Sequence, residues 1–149
     1  MPSTVKSTKA QKSYVYALGR RKTASARVRL YKSPSVPGVE GSLQLQVNNK
    51  PAEEYFPGDL AKSIYRKAFI VTDTLQKLSC SVRVVGSGKS GQLDATVHGI
   101  ARALDKFSEG KFHTLLKSSG LLTRDPRAKE RRKAGKGGKT RRSKQSPKR

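Results

Sequence analysis

The sequence predicts an α+β fold, a two-layer α/β domain in which a small sheet carries helices on one face, plus a long basic C-terminal arm. Segments that alternate between apolar and polar residues predict the strands. Segments with apolar residues every three or four positions predict the helices. Residues 124–149 hold 13 Lys and Arg against 2 Asp and Glu, with too few apolar side chains to form a core. We therefore expect a flexible basic arm over 1–13, the domain over 14–123 and a basic arm over 124–149.

Three segments have the alternation of half-buried strands. They are 23–30, 42–47 and 78–84. Each offers one apolar face to a core and one polar face. Residues 14–18 are expected to extend the first strand, with a bulge or bend at Gly19. Three arginines stand out on the polar faces, namely Arg27, Arg29 and Arg83.

Three further segments have helical periodicity. They are 59–68, 93–107 and 112–116. Ser90 is placed to cap the second of these helices, and Gly120 closes the third. In the arm, Asp125 stands where an N-cap is expected, Pro126 at the first helical position and Gly135 just past the end. The arm is therefore predicted to begin with a short helix that is polar on every face.

The charge of the chain points to a polyanionic partner. Its 149 residues include 33 Lys and Arg and 10 Asp and Glu, which gives a net charge of +23. Such a chain attracts nucleic acid or an anionic membrane. No apolar stretch approaches the ~20 residues of a membrane-spanning helix, and the first residues have no secretory signal. Nucleic acid is therefore the expected partner, and a membrane is not.

The cysteine and histidine content gives little support for a metal site. Cys80 is the only cysteine, so neither a disulfide framework nor a cysteine-based zinc site is expected. Its apolar register favours a buried small hydrophobe over a reactive thiol. His113 has no cysteine or second histidine near it. The sequence therefore predicts no metal and no cofactor.

The segment VVGSGKSGQ at 84–92 contains half of a phosphate-binding P-loop. Residues 88–90 match the second half of G-x-x-x-x-G-K-[ST], but Arg83 stands where the first glycine is required. A P-loop domain also needs a mostly parallel sheet covered on both faces, whereas these strands alternate. Asp73, the candidate magnesium ligand, precedes the loop rather than following it. A nucleotide hydrolase is therefore disfavoured.

Other catalytic arrangements are weaker still. Asp94 and His98 lie one helical turn apart, a spacing that more often produces a surface pair than an active site. The sequence offers no set of nucleophile, base and orienting group. We therefore predict no catalytic residue and no small-molecule substrate.

Four segments match a known family in order and spacing. They are GRRKTASARVRLY at 19–31, VNNKPAEEYF at 47–56, GSGKSGQLDATVHGIARAL at 86–104 and LLTRDPRAKERRKAGKGGKTRRSKQSPKR at 121–149. Together they resemble the universal small-subunit ribosomal protein S-nine in its bacterial or organellar form, over nearly all of the chain from Tyr14 onward. The resemblance implies that the glycine-rich stretch is a strand-to-helix turn without nucleotide chemistry. That turn usually holds three glycines, and Ser87 departs from the pattern.

The resemblance also implies a fold, a location and partners. The fold resembles the second domain of ribosomal protein S-five, a βαβ unit with a left-handed crossover. The location is the head of the small subunit, bound to small-subunit rRNA beside neighbouring head proteins, in a cytoplasmic or organellar ribosome. The C-terminal arm reaches the peptidyl-site tRNA. Family tails usually end Gln-aromatic-Ser-Lys-Arg, whereas this one has Ser146 and Pro147 before the terminal basic pair.

The predicted binding residues are all basic. Those expected on rRNA are Arg20, Arg21, Lys22, Arg27, Arg29, Lys89, Arg124, Arg127, Arg131, Arg132, Lys133, Lys136, Lys139, Arg141, Arg142 and Lys144. Those expected on tRNA, as the resemblance implies, are Lys148 and Arg149. Two rival hypotheses remain at this stage, a free-standing RNA or DNA chaperone and, behind it, an ATP-using enzyme.

Overall fold

The computed structural model describes residues 14–37, 44–136 and 140. The strands are β1 (Tyr14–Arg21), β2 (Ala24–Tyr31), β3 (Leu45–Val47), β4 (Lys50–Pro51) and β5 (Ser79–Val85). The helices are α1 (Ala52–Tyr55), α2 (Asp59–Val71), α3 (Lys89–Phe107) and α4 (His113–Ser118). The predicted arm over 1–13, the start of the predicted strand over 42–47 and most of the chain after 136 lie outside the described residues.

Within the residues that the structure describes, the strands form one mixed sheet of five strands in the order β1-β2-β5-β3-β4. β2 pairs antiparallel with both β1 and β5, β3 runs parallel to β5, and β4 returns antiparallel to β3. The parallel pair is joined through α1 and α2, since parallel neighbours need a long crossover. The predicted α+β class is confirmed.

β1 is a separate strand, so the prediction that residues 14–18 extend the strand predicted over 23–30 is wrong. β1 turns back at Lys22 and Thr23 and pairs with β2 along its whole length. Lys22 has a φ of +50°, the left-handed conformation that tight hairpin turns use. Gly19 continues the ladder opposite Ala26 without a bulge.

Gly19 instead allows β1 to approach α3 closely. A Cβ atom built on Gly19 would lie 1.9 Å from the carbonyl oxygen of Ala95, and one built on Gly99 would lie 2.7 Å from Cγ2 of Val28. Both distances are far inside van der Waals contact, so a larger side chain would force the helix away from the sheet. These two glycines therefore set the spacing between the layers.

The core lies between the apolar face of the sheet and the helices α2, α3 and α4. Its largest fully buried apolar side chains include Phe69, Leu30, Ile100, Leu104 and Leu116. Cys80 is fully buried among them, and burial raises the pKa of its thiol. The prediction of a buried, apolar cysteine is confirmed.

The three predicted helices correspond to α2, α3 and α4, and Gly120 follows α4 with a φ of +72°. The predicted cap of α3 is wrong. The helix begins at Lys89, Ser90 lies inside its first turn, and Gly88 occupies the N-cap without a side-chain hydrogen bond. Glycine is among the residues that the N-cap position favours.

That turn keeps the geometry of a glycine-rich loop. Gly86 has a φ of +83° and Ser87 a φ of +53°. A residue with a Cβ atom loses roughly 1–2 kcal/mol in this left-handed region. Ser87 therefore accepts strain at a position where the family that the sequence resembles usually has glycine.

The free edge of β1 is covered by polar side chains at successive turns of α3. They are His98, Arg102 and Lys106. His98 accepts a hydrogen bond from the Arg20 backbone N–H at 3.3 Å. Arg102 donates to the Leu18 carbonyl at 2.6 Å, and Lys106 donates to the Tyr16 carbonyl at 3.3 Å. Three of the backbone groups that point away from β2, the Arg20 N–H and the carbonyls of Leu18 and Tyr16, are thus hydrogen-bonded.

Candidate nucleic-acid interface

The face of the sheet opposite α3 carries aromatic and basic side chains around a shallow hollow of about 330 Å³. We call it the open sheet face, formed by Tyr14, Tyr16, Arg27, Arg29, Ser81 and Arg83. Alternation brings these residues together from three strands, because every second side chain of a strand points to the same face. The register of β1, β2 and β5 then sets them side by side.

Two arginines of the open sheet face stand directly opposite each other, Arg27 on β2 and Arg83 on β5. Like charges in this position repel and destabilise a sheet. Within the described ranges, neither of them nor Arg29 forms a salt bridge with a carboxylate. A bound anion would relieve the repulsion, so the pair has the properties of a phosphate-binding site.

The aromatic side chains of this region differ in their contacts and in their exposure. The guanidinium carbon of Arg29 lies 5.1 Å from the ring centre of Tyr14, within the range of a cation–π interaction. The Tyr14 and Tyr31 rings are 5.9 Å apart. Tyr16 is 42% exposed, with its ring beside the hollow. Among the described residues of this face, Tyr16 is therefore an exposed aromatic ring beside cations.

A second basic cluster holds the start of the C-terminal arm against the domain. We call it the clasp, formed by Arg21, Asp94, Asp125 and Arg127. The Arg21 guanidinium contacts Asp94 at 3.4 Å and Asp125 at 2.9 Å. It also donates to the Arg127 carbonyl at 2.7 Å. Only 13% of the Arg21 side chain is exposed, so this arginine is engaged within the protein.

Asp125 is the centre of the clasp. Its carboxylate accepts from the Arg127 backbone N–H at 2.9 Å and from the Arg127 guanidinium at 2.6 Å. These hydrogen bonds, with a smaller contribution from the charge of Arg21, hold the pKa of Asp125 well below its usual range. The carboxylate is therefore ionised at neutral pH.

The clasp explains why the predicted helix after Asp125 is wrong. Residues 124–133 have no helical structure. Asp125 bonds to the N–H two residues ahead, which closes a local turn rather than capping a helix. The Arg127 carbonyl, which a helix needs as an acceptor, is bound by Arg21 instead. Gly135 does adopt a positive φ, of +74°, but in an isolated turn.

Lys89 does not lie over the glycine-rich turn as a nucleotide-binding lysine does. Its Nζ atom lies 3.5 Å from the centre of the Tyr55 ring and donates to the Tyr55 carbonyl at 3.3 Å. Arg83, at the position of the missing glycine, is in the middle of β5. The geometry agrees with the prediction that this segment is not a P-loop.

The predicted surface pair of Asp94 and His98 does not form. Asp94 turns to Arg21, while Nδ1 of His98 accepts from the Arg20 backbone. Burial, followed by the nearby charge of Arg102, lowers the pKa of His98, and a hydrogen bond to the Leu122 backbone acts in the opposite direction. His98 is therefore a neutral acceptor at neutral pH.

The predicted rRNA-binding residues lie in several places. Arg27 and Arg29 are on the open sheet face, Arg20 and Lys22 are exposed at the hairpin end, and Arg21 is inside the clasp. The arm residues Arg124, Arg131, Arg132 and Lys133 are exposed, and Lys136 is half-buried. Lys139, Arg141, Arg142, Lys144, Lys148 and Arg149 lie outside the described residues.

The sequence did not single out three members of the open sheet face as binding residues, namely Tyr14, Tyr16 and Arg83. The available signal was their spacing, since Tyr14 and Tyr16 alternate in β1 as Arg27 and Arg29 do in β2. Recognising it requires knowing that β1 pairs with β2.

Two further features concern the possible metal ligands and the helices of the described residues. Among those that the structure describes, no group of three or more His, Cys, Asp or Glu side chains is placed to hold a metal ion. None of the described helices is long and apolar enough to cross a bilayer.

The fold and the surface define a small, strongly basic α+β protein with an arginine-rich open sheet face. The family model described as "Ribosomal protein S9/S16" matches residues 19–149. A "Small ribosomal subunit protein uS9" of Maridesulfovibrio salexigens is 43% identical over 127 residues, which are 85% of this chain and 91% of that protein. Proteins of the same name from Dehalococcoides mccartyi and Solidesulfovibrio magneticus are 42% and 43% identical, over 83% and 84% of this chain and 86% and 89% of their own lengths.

The chain therefore belongs to the ribosomal protein S9/S16 family, and the resemblance seen in the sequence is confirmed. The proteins of this family have a structural role and are not enzymes.

Proposed function

We propose that this protein is a structural constituent of the small ribosomal subunit that binds rRNA in the head with its domain and reaches the peptidyl-site tRNA with its C-terminal arm. The single observation that carries the proposal is the open sheet face. Arg27, Arg29 and Arg83 are gathered there without a carboxylate partner among the described residues. Arginine is suited to phosphate because its planar guanidinium donates two hydrogen bonds at once.

The arm supports the same conclusion. It carries 13 Lys and Arg in 26 residues, and the clasp fixes where it leaves the domain. Residues 128–135 are exposed, so their cations are available to a partner. The relatives are named as proteins of the small ribosomal subunit, which makes rRNA the polyanion that fits best.

Binding to small-subunit rRNA at several salt concentrations tests the proposal. If seven or more phosphates are contacted, log affinity should fall against log salt with a slope steeper than about −5, at ~0.7 per phosphate. Removal of residues 124–149 should flatten this slope markedly. An unchanged slope would show that the arm is not the main electrostatic contact.

Sedimentation distinguishes a ribosomal protein from a free-standing chaperone. Tagged protein should migrate with small subunits in high salt, because an assembled protein is held by many contacts rather than by charge alone. Migration only with free RNA would favour the chaperone.

The end of the arm is tested separately by deleting Lys148 and Arg149. Small subunits should assemble normally with the shortened protein, and peptidyl-site tRNA should bind them several-fold more weakly, since charge-assisted contacts to phosphate are lost. A matched control neutralises two exposed basic residues of the domain, Lys67 and Lys117. Failed assembly, or an unchanged tRNA affinity, would place the end of the arm on rRNA instead.

A further inference from the structure

We infer that the open sheet face binds an unpaired nucleotide of the RNA, with the base stacked on the Tyr16 ring and the adjoining phosphate held between Arg27 and Arg83. The inference rests on the proposed function for the identity of the partner as RNA. It adds that the RNA bound by this face is unpaired, and it names the residues that bind it. It concerns a surface that the described part of the chain leaves uncovered.

The arginine pair provides the place for the phosphate. Arg27 and Arg83 are exposed and directly opposite each other on antiparallel strands, where like charges repel. The described residues that line the hollow are Tyr14, Tyr16, Arg27, Arg29, Ser81 and Arg83, and none of them is acidic. An anion bound between the pair would accept hydrogen bonds from both guanidinium groups.

Tyr16 provides the surface for the base. Its ring is exposed beside the same hollow, and its backbone is fixed by the Lys106 side chain, which donates to the Tyr16 carbonyl. Across the strand pair, Tyr16 lies opposite Arg29. Arg29 extends over Tyr14 at 5.1 Å, and this contact orders both side chains next to the Tyr16 ring. The backbone that carries the ring and the side chains beside it are therefore ordered before a partner arrives.

The combination favours an unpaired nucleotide over a duplex. A-form duplexes expose phosphates and the shallow groove but keep their bases stacked inside, whereas single strands and bulges offer bases that stack on aromatic side chains. Cations alone would serve a duplex. A ring within reach of the same hollow adds a contact that only an unstacked base can use. The volume of about 330 Å³ lies within the range of small-ligand sites.

The test compares two strands of equal length and charge, a single-stranded oligouridine and an abasic ribose-phosphate strand. The full chain should bind the oligouridine at least about five-fold more tightly, the lower end expected for one base–aromatic stack. The Tyr16→Leu variant should lose this preference, while Tyr16→Phe, which keeps the ring, should retain it. Circular dichroism and thermal unfolding of each variant confirm that the fold is intact.

The phosphate contact has its own variant and control. Arg83→Gln should weaken binding of both strands alike and reduce the salt slope by about 0.7. Lys67→Gln removes the same charge from an exposed position on α2 and should reduce the slope by less. An equal reduction in both variants would show that Arg83 acts only through net charge, and would overturn the assignment of the phosphate.

The outcomes separate this inference from the proposed function. If the wild-type chain binds small-subunit rRNA but does not distinguish the two strands, the inference fails and the proposed function stands. If it does not bind rRNA at all, the proposed function fails as well. Polyglutamate is then added as a competitor of oligouridine. If it displaces oligouridine from the wild-type chain but not from Tyr16→Leu, the open sheet face binds an acidic protein segment, and the inference is overturned.

Discussion

The open sheet face and the clasp both depend on arginine, but they use it in opposite ways. In the clasp, Arg21 contacts two carboxylates and a backbone carbonyl, with 13% of its side chain exposed. On the open sheet face, Arg27 and Arg83 face each other and are exposed. In the clasp, arginine stabilises contacts within the protein. On the open sheet face, the arginine charges remain available to another molecule.

The difference teaches that the number of basic residues does not identify a binding surface. Arg20, Arg21 and Lys22 are consecutive in the sequence, yet only the middle one is enclosed by Asp94 and Asp125. A cation with a fixed carboxylate neighbour has much of its charge compensated before RNA arrives. Surfaces for nucleic acid are therefore better sought where arginines lack such neighbours.

The largest effect is expected at Gly19 of β1, because this strand carries residues of both the open sheet face and the clasp. Gly19→Ala should lower the free energy of unfolding by about 3 kcal/mol or more, because the new Cβ atom would collide with the Ala95 carbonyl. RNA binding by the sheet face and attachment of the arm should be lost together. Chemical denaturation measures the stability. Gly88→Ala, where a Cβ atom meets nothing within 4 Å, is the control and should cost less than about 1 kcal/mol.

A smaller effect separates the two regions directly. Arg21→Gln should destabilise the protein by about 1–3 kcal/mol, because it leaves hydrogen-bonded charged partners unsatisfied. Arg83→Gln should change stability by no more than about 0.5 kcal/mol, in the stabilising direction, because it removes a like-charge pair. Arg21→Gln should therefore lower the unfolding temperature more than Arg83→Gln does, whereas Arg83→Gln should weaken RNA binding more. Equal destabilisation by both substitutions would contradict the distinction between the regions.

Mild acid should lower the stability of the fold through His98, which lies on α3 one turn after Asp94 of the clasp. The pKa of His98 is lowered in the folded state, so the unfolded chain takes up the proton more readily. Stability should therefore be complete above the ordinary histidine pKa of ~6.5 and should fall as pH decreases below it. Unfolding measured between neutral and mildly acidic pH should show this decline. His98→Gln should flatten it, and an unchanged profile in that variant would assign the decline to another group.

The smallest expected effect compares two arginines of the arm. Arg127 is bound to Asp125, whereas the Arg131 guanidinium donates to a backbone carbonyl, that of Arg132. Arg131→Gln should reduce the salt slope of rRNA binding by about 0.7. Arg127→Gln should reduce it by less, because part of its charge is already compensated. A larger reduction for Arg127 would mean that the clasp opens when RNA binds.

The fold was largely predictable because alternation and helical periodicity depend on neighbouring residues. Strands β2 and β5 and helices α2, α3 and α4 were found in this way. The hairpin between β1 and β2 was missed because its turn, Lys22 and Thr23, contains none of the glycine or asparagine that usually marks one. The local sequence predicts a bend at Gly19, because the contact of Gly19 with α3 depends on residues about 80 positions away.

The interface was less predictable because it depends on side chains from distant segments. The clasp joins Arg21 to Asp125, more than 100 residues apart, and this contact overrides a local helix signal. The open sheet face needs the pairing of β1 with β2 and of β2 with β5 before Tyr16 and Arg83 become neighbours. Composition indicated a polyanionic partner, and the strand register brings together the arginines that we propose bind it.

The polar row on α3 has a consequence for the protein before it is assembled. An edge strand with free N–H and C=O groups is a template on which another chain can pair and aggregate. Here His98, Arg102 and Lys106 bond three of those groups along β1, and the opposite edge, β4, is short and contains Pro51, which cannot donate to a ladder. A newly made molecule therefore offers a shorter template for self-association before it meets its partner. We expect these protected parts of the sheet edges, together with mutual charge repulsion, to limit aggregation before assembly.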